Sequence, residues 1–357
     1  MTARERFRRV MNYEPVDRPL VLAIETLNEG VALARWRQEG LPPNQSPQDF
    51  LGMETFAEVP LNVGPFPVFE TRLLSETAEH ITEIDGWGAT VRRRKDAPGM
   101  YYGYIEHPVK TRADWENYKW RLQPDTPGRI PADLDRIAAE LNASDQPVSV
   151  TLYPWFFRLA FYLMGMERFL TAFYEEPDLL HDMFAHQAAL TLEVLRPWLG
   201  RVKIDFAVLM EDLAYKNGPH VSPRLYEEFW LPYQDPVIAA LREAGVPIVS
   251  MWSSGNLDAV LPLMRDHGIN ATWPLERAAG MDPLRVRQEY GRGLLLGGGI
   301  PKEALIAGPE AITRELTRLR PLIEAGGYLP ALDDVVPPEV PFSTYQFYVE
   351  ALRKVLG

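Results

Sequence analysis

Two adjacent carboxylates, Glu211 and Asp212, follow the apolar run VKIDFAVLM (202–210). A run of this length and β-branched content predicts a buried strand. A carboxylate at the end of such a strand can stabilise a cationic intermediate or, in a water-poor pocket, act as a general acid. Neighbouring residues on a strand point to opposite faces, so we expect one of the pair to enter a pocket. Both are catalytic candidates, with salt-bridged loop carboxylates as the alternative.

Two cationic residues are candidates to hold a substrate carboxylate. Lys216 lies on the loop after the strand just described, where the alternative is an ion pair with one of the preceding carboxylates. Arg158 follows a second strand-like run, VSVTLY (148–153), in an aromatic-rich stretch. Aromatic side chains at a strand end suit a large flat or hydrophobic ligand, so Tyr153 is predicted to line the site. The alternative for these aromatic residues is ordinary core packing.

A strand-to-helix turn is predicted where the run VPIVSMW (246–252) meets Ser-Ser-Gly-Asn. Such turns hold ligands because the helix amino end presents unpaired N–H groups. Trp252 can line an aromatic pocket or stack on a cation, and Ser254 can hydrogen-bond a ligand. Asn256 is predicted to cap the following helix rather than to touch substrate.

Three further carboxylates stand at strand ends: Glu276, and the adjacent pair Asp333 and Asp334. They could bind a metal or a basic substrate group, while turn chemistry alone also favours Asp at such places. None of the six histidines has a convincing metal-ligand spacing, and no metal site is predicted. Any bound metal would need oxygen ligands, drawn from Asp333, Asp334, Glu211 or Asp212.

From residue 145 onward, strand-like and helical patterns alternate regularly, which predicts parallel strands joined by helical crossovers. The predicted fold is α/β, a (β/α)8 TIM barrel forming one domain over 1–357, with an irregular hairpin-rich region at about 66–110. An open doubly wound sheet is the second choice. Predicted strands lie at 19–25, 148–153, 202–210, 246–252, 269–275, 294–300 and 327–332, with an eighth within 51–70. Predicted helices lie at 2–12, 165–198, 222–244, 256–267, 282–290, 309–325 and 342–356.

Charge and composition exclude several classes of protein. The net charge of −12 argues against a nucleic-acid partner, and the basic run at 92–95 is interpreted as a solvated strand end. The chain has no cysteine, so it has no disulfide, thiolate nucleophile or sulfur-ligated zinc. No apolar stretch approaches 18 residues and residues 1–11 lack a signal-peptide pattern, so we expect a soluble cytoplasmic protein.

Six segments, spread in order over nearly the whole chain, carry a family resemblance. They are TARERFRRVMNYEPVDRPLV, MEDLAYKNGPHVSPRLYEEFWLPY, SSGNLDAVLPL, PLERAAGMDPLRVRQEYG, GGGIPKEAL and GGYLPALDDVVPPEVPFSTYQFYVEAL. They resemble the uroporphyrinogen decarboxylase superfamily, which also contains corrinoid-dependent methyltransferases. This resemblance implies a (β/α)8 barrel with its active site at the carboxyl ends of the strands, an Asp at a strand end comparable to that of Asp212, and a homodimer.

The departures from the superfamily concern its known sites. True decarboxylases carry an Arg-Gln-Ala-Gly-Arg motif near the amino terminus; the corresponding region 25–40 lacks it. They also have a His where this chain has Asp333 and Asp334. The methyltransferase branch binds zinc through His-x-Cys-Gly-Asn and a later Cys. Here Trp252 and Ser254 replace the first two ligands, so activation of a thiol by zinc is impossible.

Three functions remain open. The first is cofactor-independent decarboxylation of a carboxylated small molecule, with a tetrapyrrole as one substrate class. Asp212 would stabilise the protonated intermediate, and Lys216 or Arg158 would anchor the carboxylate. The second is methyl transfer or demethylation with a corrinoid protein as partner, using an oxygen-ligated metal or none. The third is a tetrapyrrole- or corrinoid-binding module without chemistry. No nucleic-acid or membrane partner is expected.

Overall fold

Parallel strands separated by helices dominate the computed structural model, which describes residues 1–22, 31–96 and 103–356. Its strands are β1 (Ala57–Glu58), β2 (Arg72–Glu76), β3 (His80–Ile84), β4 (Thr90–Arg94), β5 (Gly103–Glu106), β6 (Val148–Leu152), β7 (Phe206–Met210), β8 (Ala214–Tyr215), β9 (Gly218–Pro219), β10 (Val249–Trp252), β11 (Ala271–Trp273), β12 (Leu295–Gly297) and β13 (Tyr328–Leu329). Each strand predicted from residue 145 onward coincides with one of these elements.

The helices lie mostly between successive strands. They are α1 (Ala3–Met11), α2 (Val31–Gln38), α3 (Pro47–Leu51), α4 (Arg112–Tyr118), α5 (Leu134–Asn142), α6 (Phe156–Met164), α7 (Met166–Glu175), α8 (Pro177–Leu195), α9 (Pro223–Phe229), α10 (Leu231–Glu243), α11 (Leu261–Asp266), α12 (Pro283–Tyr290), α13 (Lys302–Ala307), α14 (Pro309–Ala325) and α15 (Phe342–Lys354). The predicted helix 256–267 is shorter than expected, because Asn256 accepts a bond from the Asp258 N–H and forms a turn before α11 begins.

The main sheet has seven strands in the order β1-β6-β7-β10-β11-β12-β13, and every neighbouring pair is parallel. Each strand lies beside the next parallel strand along the chain, without the reversal of order that defines a doubly wound sheet. The fold is therefore a TIM-barrel-like α/β fold, built on a curled parallel sheet. The predicted eighth strand within 51–70 corresponds to β1. Of the predicted strand 19–25, Leu22 forms a parallel bridge to Glu54, and residues 23–25 lie outside the described part.

Side chains of the sheet alternate between two cores. In β7, Phe206 and Val208 pack in an inner cluster, enclosed by the curled sheet, whereas Ala207 and Leu209 join the outer core against the helices. Helix α1 covers the amino ends of the strands and places Phe7 in the inner cluster, 5.1 Å from the Phe206 ring. This alternation fixes which side chains at the carboxyl ends face inward.

A four-stranded antiparallel sheet, β2-β3-β4-β5, occupies the chain between β1 and β6. We call it the hairpin sheet. The basic run at 92–95 lies mainly on β4, where three of its cations pair with acidic neighbours: Arg93 with Glu83, Arg94 with Asp96, and Lys95 with Glu76. Neutralised charges on a strand agree with the interpretation of a solvated strand end. Among the described residues, no helix is both long enough and apolar enough to cross a bilayer.

Candidate functional site

The carboxyl ends of the parallel strands meet at one edge of the main sheet, and the main chains stay paired just beyond them. The Glu211 N–H donates to the Trp252 carbonyl at 2.8 Å, and the Ser253 N–H donates to the Trp273 carbonyl at 3.2 Å. This continued pairing holds the segments after β7 and β10 side by side. Candidates that are far apart in sequence therefore lie at the same edge.

The alternation along β7 decides which of the two adjacent carboxylates is accessible. Glu211 continues the series of Leu209, in the outer core, and Asp212 continues the series of Val208, in the inner cluster. Glu211 is completely buried, whereas the Asp212 side chain is 49% exposed. The two neighbours diverge as expected for adjacent residues at a strand end, and Asp212 is the one open to a ligand.

Asp212 lies beside a group that we call the Arg158 cluster: Tyr153, Arg158, Tyr162 and Asp212. A terminal nitrogen of Arg158 is 3.9 Å from the Asp212 Oδ2. The other terminal nitrogen donates to the Tyr162 hydroxyl at 3.0 Å, and the Tyr162 and Tyr153 hydroxyls are 2.8 Å apart. The guanidinium carbon is 5.7 Å from the centre of the Tyr153 ring. This arrangement places one cation, one anion and two phenols within one small region.

Burial and neighbouring groups keep Tyr153 and Arg158 protonated. Burial raises the pKa of the Tyr153 hydroxyl well above its usual value, and the neighbouring Tyr162 adds to the shift. Burial alone would lower the pKa of Arg158, but Tyr162 and Asp212 outweigh burial and raise it. The Nε of Arg158 is buried without an acceptor among the described residues. The cluster therefore offers hydrogen-bond donors to an anion at neutral pH.

An aromatic wall, formed by Tyr104 of the hairpin sheet and by Trp87 in the turn between β3 and β4, packs against this cluster. The Trp87 ring is 5.0 Å from the Tyr162 ring, and the Tyr104 ring is 6.3 Å from it. Tyr104 also stacks on His107 at 5.0 Å. Since Tyr162 contacts both the sheet and Arg158, the hairpin sheet positions the cation.

His220 lies in a second aromatic stack next to Asp212. Its ring is 5.3 Å from Phe157 and 5.2 Å from Tyr215, nearly parallel to both. Burial lowers the pKa of His220, and the negative charge of Asp212 opposes this shift without cancelling it. His220 is therefore neutral at pH 7 and can donate or accept one hydrogen bond beside Asp212.

Glu211 holds the amino end of α6. Its oxygens accept bonds from the N–H of Phe157 at 2.9 Å, from the N–H of Arg158 at 3.1 Å, and from the indole of Trp230 at 3.0 Å. These main-chain groups are among the unpaired donors of the first helical turn, which a carboxylate satisfies. Burial nevertheless raises the Glu211 pKa to about 7, against the lowering effect of these bonds. The two catalytic candidates therefore have different structural positions: Asp212 is accessible, and Glu211 holds the main chain that carries Arg158.

Replacing Glu211 by Gln is expected to destabilise the protein, and more strongly at pH 5 than at pH 7.5. The buried amide puts an NH2 group among three donors, a cost of about 1–3 kcal/mol. The folded-state pKa lies above the ordinary 4.5, so wild type loses stability as pH rises from about 4.5 to 7, because unfolding then releases a proton. The variant lacks this dependence. Chemical denaturation of both proteins across pH 5–7.5 measures the difference, and a constant gap over that range would contradict the assignment.

The turn at the end of β10 is held from both sides. The Ser253 hydroxyl accepts a bond from the Leu213 N–H at 2.9 Å, and Glu276 accepts one from the Gly255 N–H at 2.7 Å. Gly255 has a φ of +85°, and a Cβ there would lie 2.5 Å from the Ala214 carbonyl, so glycine is required. Glu276, a predicted ligand contact, therefore anchors this turn.

Trp252 and Ser254 remain partly exposed at this turn, whereas Ser253 is buried. The Trp252 ring meets the Trp273 ring edge to face, with 6.5 Å between the ring centres. Both rings pack at the end of the inner cluster that is nearest the carboxyl ends of the strands. The positions predicted to line the site are thus open, while the intervening serine is structural.

A second group of charges surrounds Lys302, which the sequence analysis did not single out. Asp333 is buried and accepts bonds from the N–H of Lys302 at 2.9 Å and of Arg277 at 3.1 Å. Burial raises the Asp333 pKa to about 6. Asp334 pairs with the Lys302 ammonium group. Asp333 is therefore a structural acceptor like Glu211, and Asp334 is neutralised by a lysine.

Lys216 stands apart from both groups. It lies in the two-residue turn between β8 and β9 and is exposed, and the described residues offer it neither of the carboxylate partners considered above. Within residues 1–22, 31–96 and 103–356, no three His, Asp or Glu side chains lie close enough to share a metal ion. The four carboxylates considered as oxygen ligands are therefore not gathered into a group of three in this part of the chain.

Sequence patterns missed three residues of this region: Tyr162, His220 and Lys302. Tyr162 follows Arg158 by four positions, which puts both on one face of α6, and this spacing was an available signal. His220 and Lys302 had no such signal, because their neighbours come from other elements. Of the region 25–40, residues 25–30 lie outside the described part. Arg35, on α2, pairs with Glu39, and its guanidinium also donates to the main chain near residue 339.

The chain matches a known protein family over most of its length. The family model "Uroporphyrinogen decarboxylase (URO-D)" matches residues 82–355. A curated protein of Rhodococcus erythropolis, "Uroporphyrinogen decarboxylase", is 27% identical over 224 residues, covering 60% of this chain and 58% of that protein. The matched part is thus less than two thirds of the relative's length.

A solved structure shares the fold over the whole chain. It is a methyltransferase from Methanosarcina mazei, with a TM-score of 0.61 and 16% identity, covering 99% of this chain and 98% of the other. At this identity the similarity concerns the fold alone. Since the family model matches residues 82–355, which is most of the chain, the chain belongs to the uroporphyrinogen decarboxylase (URO-D) family.

Proposed function

We propose that this protein is a cofactor-independent decarboxylase of a carboxylated small molecule, with its active site at the Arg158 cluster. The observation that carries the proposal is the loose pair formed by Arg158 and Asp212 at 3.9 Å, at the carboxyl ends of the strands. In TIM-barrel enzymes catalytic groups lie at this edge. Family membership supports the reaction class, and tetrapyrroles are the first substrate class to test.

Arg158 is a better anchor for a substrate carboxylate than Lys216. Its side chain is about three-quarters buried, its guanidinium donates to the Tyr162 hydroxyl, and the distance to Asp212 is beyond that of a hydrogen bond. A planar guanidinium binds a carboxylate through two parallel bonds, whereas an exposed lysine at a turn is mobile and solvated. The anchor is therefore assigned to Arg158.

Asp212 would stabilise the positive charge that decarboxylation of an electron-rich ring requires. Protonation of a ring carbon makes the ring cationic. The bond to the carboxylate carbon then breaks, its electron pair neutralises the ring, and CO2 leaves; a second proton on the exocyclic carbon and loss of the first restore the ring. A carboxylate next to the ring favours the cationic stage over the neutral ground state, as catalysis demands.

The two tyrosines and the aromatic wall complete the site. Tyr153 stays protonated, so it can donate to a substrate oxygen without competing for the proton of the reaction. Trp87, in the turn between β3 and β4, and Tyr104, on β5, contact the cluster through Tyr162. Flat aromatic surfaces around a few fixed polar groups are typical of sites for ring-containing ligands.

Methyl transfer with a corrinoid protein is the second candidate, favoured by the full-length fold similarity to a methyltransferase. The residues at the β10 turn do not fit a zinc site, because neither the Trp252 indole nor the Ser254 hydroxyl replaces a His or a Cys thiolate. An acceptor would have to be activated by another group. Lys302 and Asp334 are one further pair of charged side chains, which follow β12 and β13 at the carboxyl ends of the strands.

The test is an assay of CO2 release under anaerobic conditions, with uroporphyrinogen III and with a carboxylated metabolite fraction from cell extract. We expect CO2 and a product one carboxyl group lighter, both formed at least about 100-fold more slowly by Asp212→Asn. A second assay follows methylcobalamin with thiol acceptors. Demethylation of cobalamin without CO2 release would replace the proposal by methyl transfer, and tight binding without either reaction would leave a non-catalytic binding module.

A further inference from the structure

A cavity of about 280 Å³ lies at the end of the main sheet opposite the Arg158 cluster. Its wall includes Ile248 and Leu295, at the amino ends of β10 and β12, and Phe7 of α1. These side chains belong to the inner cluster, so one side of the cavity is apolar. Since the amino ends of the strands point away from the proposed active site, this cavity is a separate space.

The polar side of the cavity begins at Arg8. Its Nε donates to Asp205 Oδ1 at 2.6 Å, and the other oxygen of Asp205 accepts from Arg4 at 2.8 Å and from the Val148 N–H at 2.7 Å. Two arginines thus share one carboxylate, which leaves a net positive charge. The terminal nitrogens of Arg8 form no further bond among the described residues, and the side chain is half exposed.

Arg292 supplies a second cation to the same wall. Its guanidinium lies 4.7 Å from the Tyr13 ring centre, and within the described ranges it has no carboxylate partner. Tyr13 is fixed in a left-handed conformation, with φ +60°, that non-glycine residues rarely adopt. Its hydroxyl accepts from Arg287 at 2.7 Å and donates to the Arg292 carbonyl at 3.2 Å, and its ring fills the space that a Cβ of Gly327 would need. Arg292 therefore packs on a tyrosine whose position is set by two hydrogen bonds and by close contact with Gly327.

We propose that this cavity binds a small organic carboxylate with an apolar body. The apolar wall would hold the ring or chain of such a ligand, and Arg8 and Arg292 would hold its carboxylate. Among the described residues, Arg8 and Arg292 line the cavity together with a single carboxylate, Asp205, which also neutralises Arg4. This local excess of positive charge is unusual in a chain with a net charge of −12. The volume is just below the range typical of drug-sized ligands, which selects a compact molecule. The proposal is independent of the reaction at the Arg158 cluster.

The test is direct binding by calorimetry and ligand-observed NMR, with benzoate as the anionic probe and benzamide as its neutral counterpart. Arg292→Gln removes the cation. Gly293→Leu places a side chain at the cavity wall, where a Cβ meets nothing within 4 Å and the backbone is not left-handed. Arg92→Gln, on the exposed face of the hairpin sheet, is the matched control.

We expect benzoate to bind wild type and Arg92→Gln equally, and about ten-fold or more weakly to Arg292→Gln, as the loss of one charge-assisted bond predicts. Gly293→Leu is expected to weaken it as well, with thermal unfolding showing that both variants are folded. Absence of benzoate binding, equal binding of benzamide, or unchanged affinity in both cavity variants would overturn the proposal. Inorganic phosphate binding as tightly as benzoate would overturn the apolar component.

Discussion

Asp212→Asn is expected to lower kcat/KM for the decarboxylated substrate by roughly 10²–10³-fold, the usual effect of removing one preorganised electrostatic group from an active site. Asparagine has the same shape but no charge, so it cannot stabilise a cationic intermediate. The loss should appear mainly in kcat, because the carboxylate interacts more strongly with the cation than with the neutral substrate. Steady-state kinetics of CO2 release measures both parameters.

The fold should tolerate this change. The Asp212 side chain is half exposed and its Arg158 neighbour is 3.9 Å away, so the stability change should stay within about 0.5 kcal/mol. Asp135→Asn, at a side chain that is 93% exposed on α5, is the matched control and should leave kcat/KM unchanged. Full activity of Asp212→Asn, with the control also active, would remove Asp212 from the mechanism.

Arg158→Gln is expected to raise KM by about 10- to 100-fold, as the loss of a charge-assisted carboxylate contact worth about 1.5–3 kcal/mol predicts. The substitution also removes the bond to the Tyr162 hydroxyl, so the tyrosine pair with Tyr153 loses its orientation. Binding titrations with substrate, together with initial rates, separate this loss from an effect on the chemical step.

Arg158→Lys separates charge from geometry at the same position. Lysine restores a positive charge but presents no planar pair of donors, so it should recover only part of the affinity. Lys216→Gln is the comparison for the rejected anchor and should change KM little, because Lys216 is exposed at a turn. A large KM effect of Lys216→Gln with none of Arg158→Gln would transfer the anchor to the loop.

The succession of strands and helices after residue 145 was predictable because it depends on local patterns. Apolar runs of strand length and glycines at helix ends are properties of short segments, and the structure places β6, β7, β10, β11, β12 and β13 within the predicted ranges. The carboxyl ends of parallel strands share an edge, so the general position of the candidate residues also followed from the strand pattern.

The roles of the candidate residues could not be predicted from the strand pattern, because each role depends on a partner from another element. Glu211 and Asp333 were candidates of the same chemical type as Asp212, but both are buried acceptors for main-chain N–H groups of other segments. The Glu211 bonds reach 53 and 54 residues back along the chain. No local pattern shows whether a carboxylate at a strand end meets solvent or a helix start.

By itself, the sequence determined the order of elements, the family and the edge at which the candidate residues gather, since periodicity and motifs are encoded locally. The tertiary structure alone decided that Asp212 is accessible, that Arg158 rather than Lys216 lies beside it, and that Tyr162 and the hairpin sheet position that arginine. It also created the cavity at the opposite end, where α1 and the residues after it bring Arg8 and Tyr13 into the same wall as Arg292. These features are contacts between distant segments, and such contacts exist only once the curled sheet has brought those segments together.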